Sequence, residues 1–475
     1  MKKQPGHLAY VAWLAFIAAL GGFLFGYDTA VISGTIEQVA LQFSLDEIGT
    51  GWYVGCALVG SIIGVVFAGP LSDRFGRKPV LYTASLLFLS SALGCMLSVS
   101  VSQLVIYRII GGVGIGVASI VSPLYIAEIS LPKYRGRLVA LYQLAITIGF
   151  LAAYLANYGL LGYAEKLTQN EAAQGWYAQI FGTENWRAML GLESAPALLF
   201  FASLFFIPES PRWLILKRKE GQAASILNRI LPSDEVNLQI EQVKTVIAEE
   251  ANGNWKLLLK PGFRLALFIG IALAILGQFM GVNAVLYYGP SIFKQSGLSS
   301  GDSLFYQVMV GLVNMLTTVL GLAIIDKVGR KQLVYWGVSG MIITLILIAG
   351  YFSFGAQWQV SSVWLLAFFL LYIFACAISI CTVIFVLLSE MYPIQLRGAA
   401  MSLAGLSLWI GTYLIGQLTP WMLSNLSATG TFLLFAAMCF PYLFIVWKLL
   451  PETTGKSLEE IEQFWIESGK KDAEL

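Results

Sequence analysis

The chain has 475 residues, of which 57% are hydrophobic and 12% are charged, with a net charge of +2 and a mean hydropathy of +0.75. Soluble proteins carry roughly 25% charged residues, so this composition excludes an ordinary soluble domain. The near-neutral net charge gives no indication of a nucleic-acid partner, and we expect none. Apolar runs of about 18 residues or more predict an all-α membrane protein.

Twelve membrane spans are predicted along the chain. They lie at about residues 10–36, 50–70, 79–99, 102–126, 138–160, 187–207, 262–292, 303–326, 332–353, 361–391, 398–421 and 429–450. Lys and Arg are concentrated in the connections that follow spans 2, 4, 6, 8 and 10. Because positively charged loops stay in the cytoplasm, we expect a multi-pass membrane protein with both termini cytoplasmic.

Span 1 contains one acidic residue, Asp28, in an otherwise apolar run. A central Asp costs roughly 2.5–3.5 kcal/mol on insertion scales, so its carboxylate requires a partner or a cavity. Two more ionisable residues lie at membrane depth in the same half of the chain, Arg108 in span 4 and Glu193 in span 6. A carboxylate that gains and loses a cationic partner can carry a proton. The alternative is a static ion pair of Asp28 and Arg108, with Glu193 as a further acceptor.

The second half of the chain repeats motifs of the first. The segment at residues 69–78 recurs at 323–331, an offset of about 250 residues or half of the chain, which indicates two parallel repeats with a ligand site near the midplane between them. The predicted organisation is an N-terminal six-helix half (1–207), a cytoplasmic helical linker (208–261), a C-terminal six-helix half (262–450) and a cytoplasmic tail (451–475).

Acidic and basic residues recur together at the cytoplasmic ends of the spans in both halves. Arg is suited to such sites because its guanidinium binds a carboxylate through two hydrogen bonds. We interpret the set as a breakable clasp on the cytoplasmic side, although loop solvation and topology alone would also explain it. Its members are Asp73, Arg74, Arg77, Glu128, Arg135, Asp326, Arg330, Glu390 and Arg397.

Uncharged polar side chains within the spans predict a binding site for a neutral polyhydroxylated ligand, because amides both donate and accept hydrogen bonds. Asn283 and Tyr287 share a helix face, but Gln278 faces elsewhere on an ideal helix, so we expect span 7 to break between them. The alternative is ordinary hydrogen bonding between helices. The candidate residues for contacting this ligand are Gln143, Gln278, Asn283, Tyr287, Asn314, Phe385, Trp409 and Phe25.

No catalytic or metal-binding constellation is evident. The five cysteines lie inside apolar spans and the single His is His7, so we expect neither a metal nor a cofactor nor an enzymatic activity.

The motifs resemble those of the sugar porters of the major facilitator superfamily over essentially the whole chain. The matching segments are residues 69–78, 107–112, 135–136, 208–214, 281–288 and 451–455. The Phe-Gly-Tyr-Asp-Thr stretch around Asp28 is similar to that of the bacterial proton-coupled members such as xylose symporters, whereas facilitative glucose transporters have Asn there. The resemblance implies the major facilitator fold and a location in the bacterial inner membrane. It also implies a proton site at Asp28, with Arg108 and Glu193, and sugar contacts at Gln143, Gln278, Asn283, Tyr287 and Asn314.

The chain departs from this family pattern in its C-terminal half. Gly277 replaces the first of two consecutive Gln residues, and Leu408 replaces a polar residue before Trp409. The usual Gly-Pro-x-x-Trp motif of span 10 reads Cys-Thr-Val-Ile-Phe at residues 381–385, which removes its helix breaker. The sugar shell is therefore expected to be less polar than in the family.

These features together predict proton-coupled symport of a neutral monosaccharide, such as xylose or glucose, by alternating access. A facilitative uniporter and a sugar sensor that does not transport are the alternatives. The expected partners are the sugar, the proton and membrane lipid, with no obligate protein partner.

Overall fold

The computed structural model describes residues 5–131, 133–169, 175–251, 261–392, 397–452, 460–461 and 463–465. Within these residues the regular secondary structure is entirely helical. The chain divides into two compact units. The first comprises Met1–Gln38 and Cys56–Asn252, and the second comprises Val39–Gly55 and Gly253–Leu475.

Twenty α-helices account for most of the described chain. They are α1 (Pro5–Val31), α2 (Ile36–Phe43), α3 (Glu47–Phe75), α4 (Arg77–Leu97), α5 (Val101–Ile129), α6 (Arg135–Thr168), α7 (Trp176–Ala178), α8 (Asn185–Gly191), α9 (Ser194–Ser203), α10 (Pro211–Leu216), α11 (Glu220–Leu227), α12 (Ser233–Ala251), α13 (Pro261–Phe279), α14 (Val282–Gln295), α15 (Ser300–Val328), α16 (Arg330–Phe354), α17 (Ser362–Cys376), α18 (Thr382–Met391), α19 (Arg397–Asn425) and α20 (Ser427–Lys448).

The described residues contain twelve apolar stretches long enough to cross a membrane, as the sequence predicted. They are Leu8–Gly34, Glu47–Phe75, Arg77–Leu97, Val101–Ile129, Arg135–Thr168, Asn185–Phe206, Phe263–Gln295, Ser300–Ile325, Arg330–Phe354, Ser362–Leu388, Gly398–Asn425 and Ser427–Lys448, called spans 1 to 12. Several exceed the roughly 20 residues that a perpendicular helix needs, which is typical of tilted or interrupted spans.

Three of the spans are interrupted. Span 6 consists of α8 and α9 with a turn between them, span 7 consists of α13 and α14, and span 10 consists of α17 and α18 joined by a π turn at Ala377–Cys381. Irregular backbone within a membrane is tolerated where protein surrounds it, and it commonly marks a binding site.

In the first unit, α1 packs against α5 and α6. The contact of α1 with α6 is very close, because Gly26 lies against the backbone carbonyl of Ile146 and Gly149 against that of Phe23. Small residues allow such approach, which is the main source of helix association in lipid. This packing holds the middle of α1 in the interior of the unit.

The segment after span 6 forms the helices α10, α11 and α12, which all lie within the stretch 208–261 that was predicted to be a helical linker. In the tail that follows span 12, Trp465 is buried and its indole N–H donates to the carbonyl of Met391 at 2.9 Å.

Candidate functional site

The middle of the first unit contains a buried ion pair. Asp28 on α1 is 0% exposed and Arg108 on α5 is 3% exposed. Arg108 Nη1 donates to Asp28 Oδ1 and lies 3.5 Å from the backbone oxygen of the same residue. The second carboxylate oxygen, Oδ2, is buried and accepts no hydrogen bond from the described residues. The two carboxylate oxygens of Asp28 therefore differ: one binds Arg108, and the other accepts no hydrogen bond among the described residues.

Gly111 on α5 makes room for that second oxygen. A Cβ atom at position 111 would lie 2.8 Å from Asp28 Oδ2, closer than carbon and oxygen normally approach. It would also collide with the hydroxyl of Ser91 on α4. The carboxylate is thus held on one side by a cation and on the other by the bare backbone of α5.

Glu193 lies at the interruption of span 6, between the end of α8 and the beginning of α9. Its side chain is buried, with 2% of the residue exposed, and it interacts electrostatically with both Asp28 and Arg108. Its Oε1 accepts no hydrogen bond within the described part of the chain. The structure therefore brings together all three residues of the predicted proton site.

A second ionic cluster lies at the junction of α3 and α4. Arg77 is bound to Glu128 on α5 through two hydrogen bonds, Nε to Oε2 at 2.9 Å and Nη2 to Oε1 at 2.8 Å. Its Nη1 also donates at 3.0 Å to Asp73 Oδ1 and to the carbonyl of Ser72. The paired side chains are 6% and 3% exposed, whereas that of Asp73 is 62% exposed. The strong contact is therefore the one between Arg77 and Glu128.

Glu209, which the sequence analysis did not assign, secures the same junction. Its Oε1 accepts from the backbone N–H of Arg77 at 2.9 Å and from that of Ser210 at 2.8 Å. The ammonium group of Lys78 donates a hydrogen bond to the carbonyl of Ile207 at 2.7 Å. Because the first N–H groups of a helix have no partner within the helix, a carboxylate at this position both caps α4 and complements its dipole. The segment after span 6 is thereby fastened to the start of span 3.

The second unit contains the equivalent cluster at the junction of α15 and α16. Arg330 Nη2 donates to Glu390 Oε1 at 2.9 Å, with the side chains 12% and 24% exposed. Lys331 donates to the carbonyl of Leu450 at 2.9 Å, as Lys78 does to Ile207 in the first unit. The two units therefore share these side-chain contacts as well as the sequence motifs that form them.

The remaining members of the predicted clasp are less closely joined to these clusters. Arg74 and Arg135 are exposed, and the guanidinium of Arg74 lies over the ring of Phe75 at 5.1 Å. The side chains of Asp326 and Arg397 lie outside the described residues.

Span 7 breaks where the sequence predicted it. Helix α13 ends at Phe279 and α14 begins at Val282, and Gly281 between them has φ +91°, a left-handed conformation that favours glycine. A Cβ at position 281 would also lie 2.7 Å from ring atoms of Phe435. The hydroxyl of Tyr372 on α17 donates to the carbonyl of Met280 at 2.8 Å, which gives this buried carbonyl at the break a hydrogen-bond donor.

The break brings two of the predicted amides together. Asn283 Nδ2 donates to Gln278 Oε1 at 2.6 Å, and Thr412 on α19 donates to the same oxygen at 3.1 Å. Thr412 is 4% exposed, while Gln278 and Asn283 are half-buried. The cluster joins α13, α14 and α19 around one carbonyl oxygen.

The other candidate sugar contacts occupy different helices. Tyr287 follows Asn283 by one turn of α14 and is 3% exposed, Asn314 on α15 is 8% exposed, and Trp409 on α19 is 8% exposed. The side chain of Phe385 lies outside the described residues. Phe25 and Gln143 belong to the first unit, where both are half-buried on α1 and α6.

Span 10 is interrupted although it lacks the glycine and proline of the family motif. A π turn covers Ala377–Cys381. Hydroxyl groups stabilise it, because Ser379 donates to the carbonyl of Ala375 and Thr382 to that of Ala377, both at 2.6 Å. Such bonds compete with the regular helical pattern. The expected loss of the helix breaker is therefore compensated by two hydroxyl side chains.

Sequence reasoning missed Thr412, Tyr372 and Gln307, which all contact the backbone or side chains of span 7. Each lies inside a mostly apolar span, where its sequence neighbours do not distinguish it. For Gln307, a proline in the neighbouring span was the available signal, because proline leaves a carbonyl that needs a donor.

Comparison with known proteins adds sequence and structural relatives. Residues 14–465 match the family model described as "Sugar (and other) transporter". The chain is 38% identical over 462 residues to the arabinose-proton symporter of Bacillus subtilis, covering 97% of this chain and 96% of that protein. It is 36% identical over 503 residues to the D-xylose-proton symporter of Escherichia coli, covering 98% and 97%. Among solved structures, the inward open xylose transporter XylE from E. coli matches with a TM-score of 0.81 and 34% identity, covering 96% of this chain and 100% of that one.

Proposed function

Because the chain belongs to the sugar transporter family of the major facilitator superfamily, we propose that it imports a neutral monosaccharide together with a proton by alternating access. Members of this family are transporters rather than enzymes, and twelve apolar spans make the chain a multi-pass protein of the cell membrane. We further propose that both termini lie in the cytoplasm, since Lys and Arg are concentrated in the connections on that side.

The observation that carries the proposal is the fully buried Asp28–Arg108 pair with Glu193 beside it. Ionised groups inside a membrane are costly and are typically found where protons or ions pass. When a proton binds to Asp28 Oδ2, the negative charge that holds Arg108 disappears, and the guanidinium can turn to Glu193. When Arg108 returns, it displaces the proton. The pair is thus able to alternate between two arrangements according to its proton content.

The second unit supplies the groups that would bind the sugar. Gln278, Asn283 and Thr412 form one hydrogen-bonded cluster of neutral donors and acceptors. A sugar hydroxyl can replace any of these internal bonds without leaving a buried polar group unsatisfied. Tyr287, Asn314, Trp409 and Phe385 are the further contacts that we propose from this unit. Phe25 and Gln143, which belong to the first unit, remain sugar contacts predicted from the sequence.

We assign the Arg77–Glu128 and Arg330–Glu390 pairs to the clasp that opens and closes during transport, one in each unit. Their matched positions in the two repeats support this role. The contact of Glu209 with the start of α4 belongs to the same assembly in the first unit.

The test is sugar transport by purified protein in proteoliposomes with the substitution Asp28→Asn, which keeps the size of the side chain and removes its charge. We expect the variant to lose accumulation of labelled sugar driven by a pH gradient. Exchange of labelled for unlabelled sugar should persist, because exchange requires no net proton movement. The control is Glu37→Gln, which alters an exposed carboxylate at the start of α2 and should leave accumulation intact.

Survival of uphill uptake in Asp28→Asn would show that the proton site lies elsewhere. If the unaltered protein exchanges sugar but causes no alkalinisation outside the vesicles, it is a uniporter and the ion pair is structural. If it binds sugar without exchanging it, the protein is a sensor. Parallel exchange measurements with arabinose, xylose and glucose would identify the substrate, since pentose and hexose differ by one hydroxymethyl group.

A further inference from the structure

Helix α14 contains Pro290 in its interior. In an α-helix the N–H of each residue donates to the carbonyl four residues earlier, and proline has no N–H to donate. Position 290 therefore supplies no hydrogen bond to the carbonyl of Leu286. The side chain of Gln307 on α15 supplies one instead: its Nε2 lies 3.1 Å from the oxygen of Leu286 and 3.3 Å from that of Val285.

Gln307 is an unusual residue for its position. It is 0% exposed, and its Oε1 accepts no hydrogen bond from the part of the chain that the structure describes. Gly289 lies against this oxygen, and a Cβ there would collide with it. Burial of an amide is unfavourable unless its groups are paired, so the contacts with the two carbonyls account for its presence.

The two carbonyls that Gln307 contacts lie between two proposed sugar contacts on α14. Asn283 precedes them and Tyr287 follows them directly. On α15, Asn314 follows Gln307 by seven residues, which places both on the same helix face. The amide of Gln307 thus connects α15 to the stretch of α14 that carries Asn283 and Tyr287.

We propose that Gln307 is a positioning residue for the sugar site: it substitutes for the N–H that Pro290 lacks and so fixes the orientation of α14 behind Asn283 and Tyr287. This inference rests on the proposed sugar-transport function. Gln307 itself touches backbone and does not need to contact the sugar.

The experiment is a double-mutant cycle of Gln307→Met and Pro290→Ala in reconstituted protein, measured by sugar exchange and by the melting temperature in detergent. Gln307→Met keeps the length of the side chain and removes the donor. We expect it to raise the half-saturation concentration about threefold, the change that an average hydrogen bond in a membrane supports, with the maximal rate unchanged. In the Pro290→Ala background a backbone N–H is restored at position 290, so the same substitution should have a smaller effect on both measurements.

The matched control is Ser303→Ala, one turn earlier on α15, where a buried hydroxyl has no hydrogen-bond partner within the described residues. It should change neither measurement. Equal effects of Gln307→Met in the two backgrounds, or coupling in the melting temperature without coupling in half-saturation, would overturn the positioning role. An unaltered protein that exchanges no sugar would instead refute the proposed function, and the melting-temperature cycle would still test the Gln307–Pro290 relation.

Discussion

The two ionic clusters differ in burial, and this difference predicts unequal effects of the same substitution. The carboxylate of Glu128 is 3% exposed and binds Arg77 through two hydrogen bonds. That of Glu390 is 24% exposed and accepts from Arg330 Nη2 at 2.9 Å. Removing one partner of a buried pair leaves an uncompensated charge, which costs roughly 3–5 kcal/mol. Pairs that water reaches contribute about 1 kcal/mol or less.

We therefore expect Glu128→Gln to destabilise the protein by about 3 kcal/mol and Glu390→Gln by about 1 kcal/mol. For units of roughly 150–250 residues, each kcal/mol lowers the melting temperature by about 2–4 °C. The expected decreases are thus about 6–12 °C for the first variant and about 2–4 °C for the second. The assay is the apparent melting temperature of purified protein in one detergent at one heating rate.

Asp73→Asn serves as the internal control, because Asp73 also binds Arg77 but its side chain is 62% exposed. Its decrease should be the smallest of the three or similar to that of Glu390→Gln. If Glu128→Gln lowered the melting temperature no more than Asp73→Asn, burial would not determine the strength of these contacts. Equal decreases for Glu128→Gln and Glu390→Gln would refute the reasoning in the same way.

Two glycine substitutions test the proposed sugar site and the proposed proton site. Gly281→Ala should lower the yield of folded protein and raise the half-saturation concentration for sugar, because φ is +91° at that position and disfavours a side chain. Its control is Gly277→Ala, which should leave both quantities unchanged, because the added Cβ would lie at an ordinary 3.6 Å from its nearest atom. Gly111→Ala should reduce the sugar accumulated per unit pH gradient while exchange continues, because a Cβ there displaces Asp28 Oδ2. Gly114→Ala, on the same helix but against α4 rather than Asp28, is its control, and an equal loss of accumulation in both variants would contradict a specific effect on the proton site.

The number and order of the spans could be predicted from the sequence because hydropathy alone determines which stretches enter a membrane. The Asp28–Arg108 pair could be anticipated for a related reason: a charge in lipid demands a counter-charge, and few were available at that depth. The break in span 7 followed from helix geometry, since Gln278 and Asn283 share a face only if the helix is interrupted between them.

Other features depend on tertiary contacts that a linear pattern does not contain. The π turn of span 10 contains no glycine or proline from which it could be predicted. It is stabilised by the hydroxyl groups of Ser379 and Thr382, but Ser and Thr also occur in uninterrupted membrane helices. The function of Gln307 becomes evident only when α14 and α15 are side by side. The role of Glu209 likewise requires the start of α4 as its partner.

The π turn also has a consequence for how span 10 tolerates changes in chain length. A π turn contains one residue more than an α turn, so Ala377–Cys381 holds a surplus residue that the regular helix would not need. Deletion of one residue there would return the backbone to an α-helix and leave the rotational phase of Glu390 relative to α17 nearly unchanged. Deletion of one residue elsewhere in α18 would turn Glu390 by about 100°, away from Arg330, because each α-helical residue contributes that rotation. Span 10 therefore has one short stretch in which the loss of a single residue preserves the rest of the span, and this is where single-residue deletions among related chains are expected.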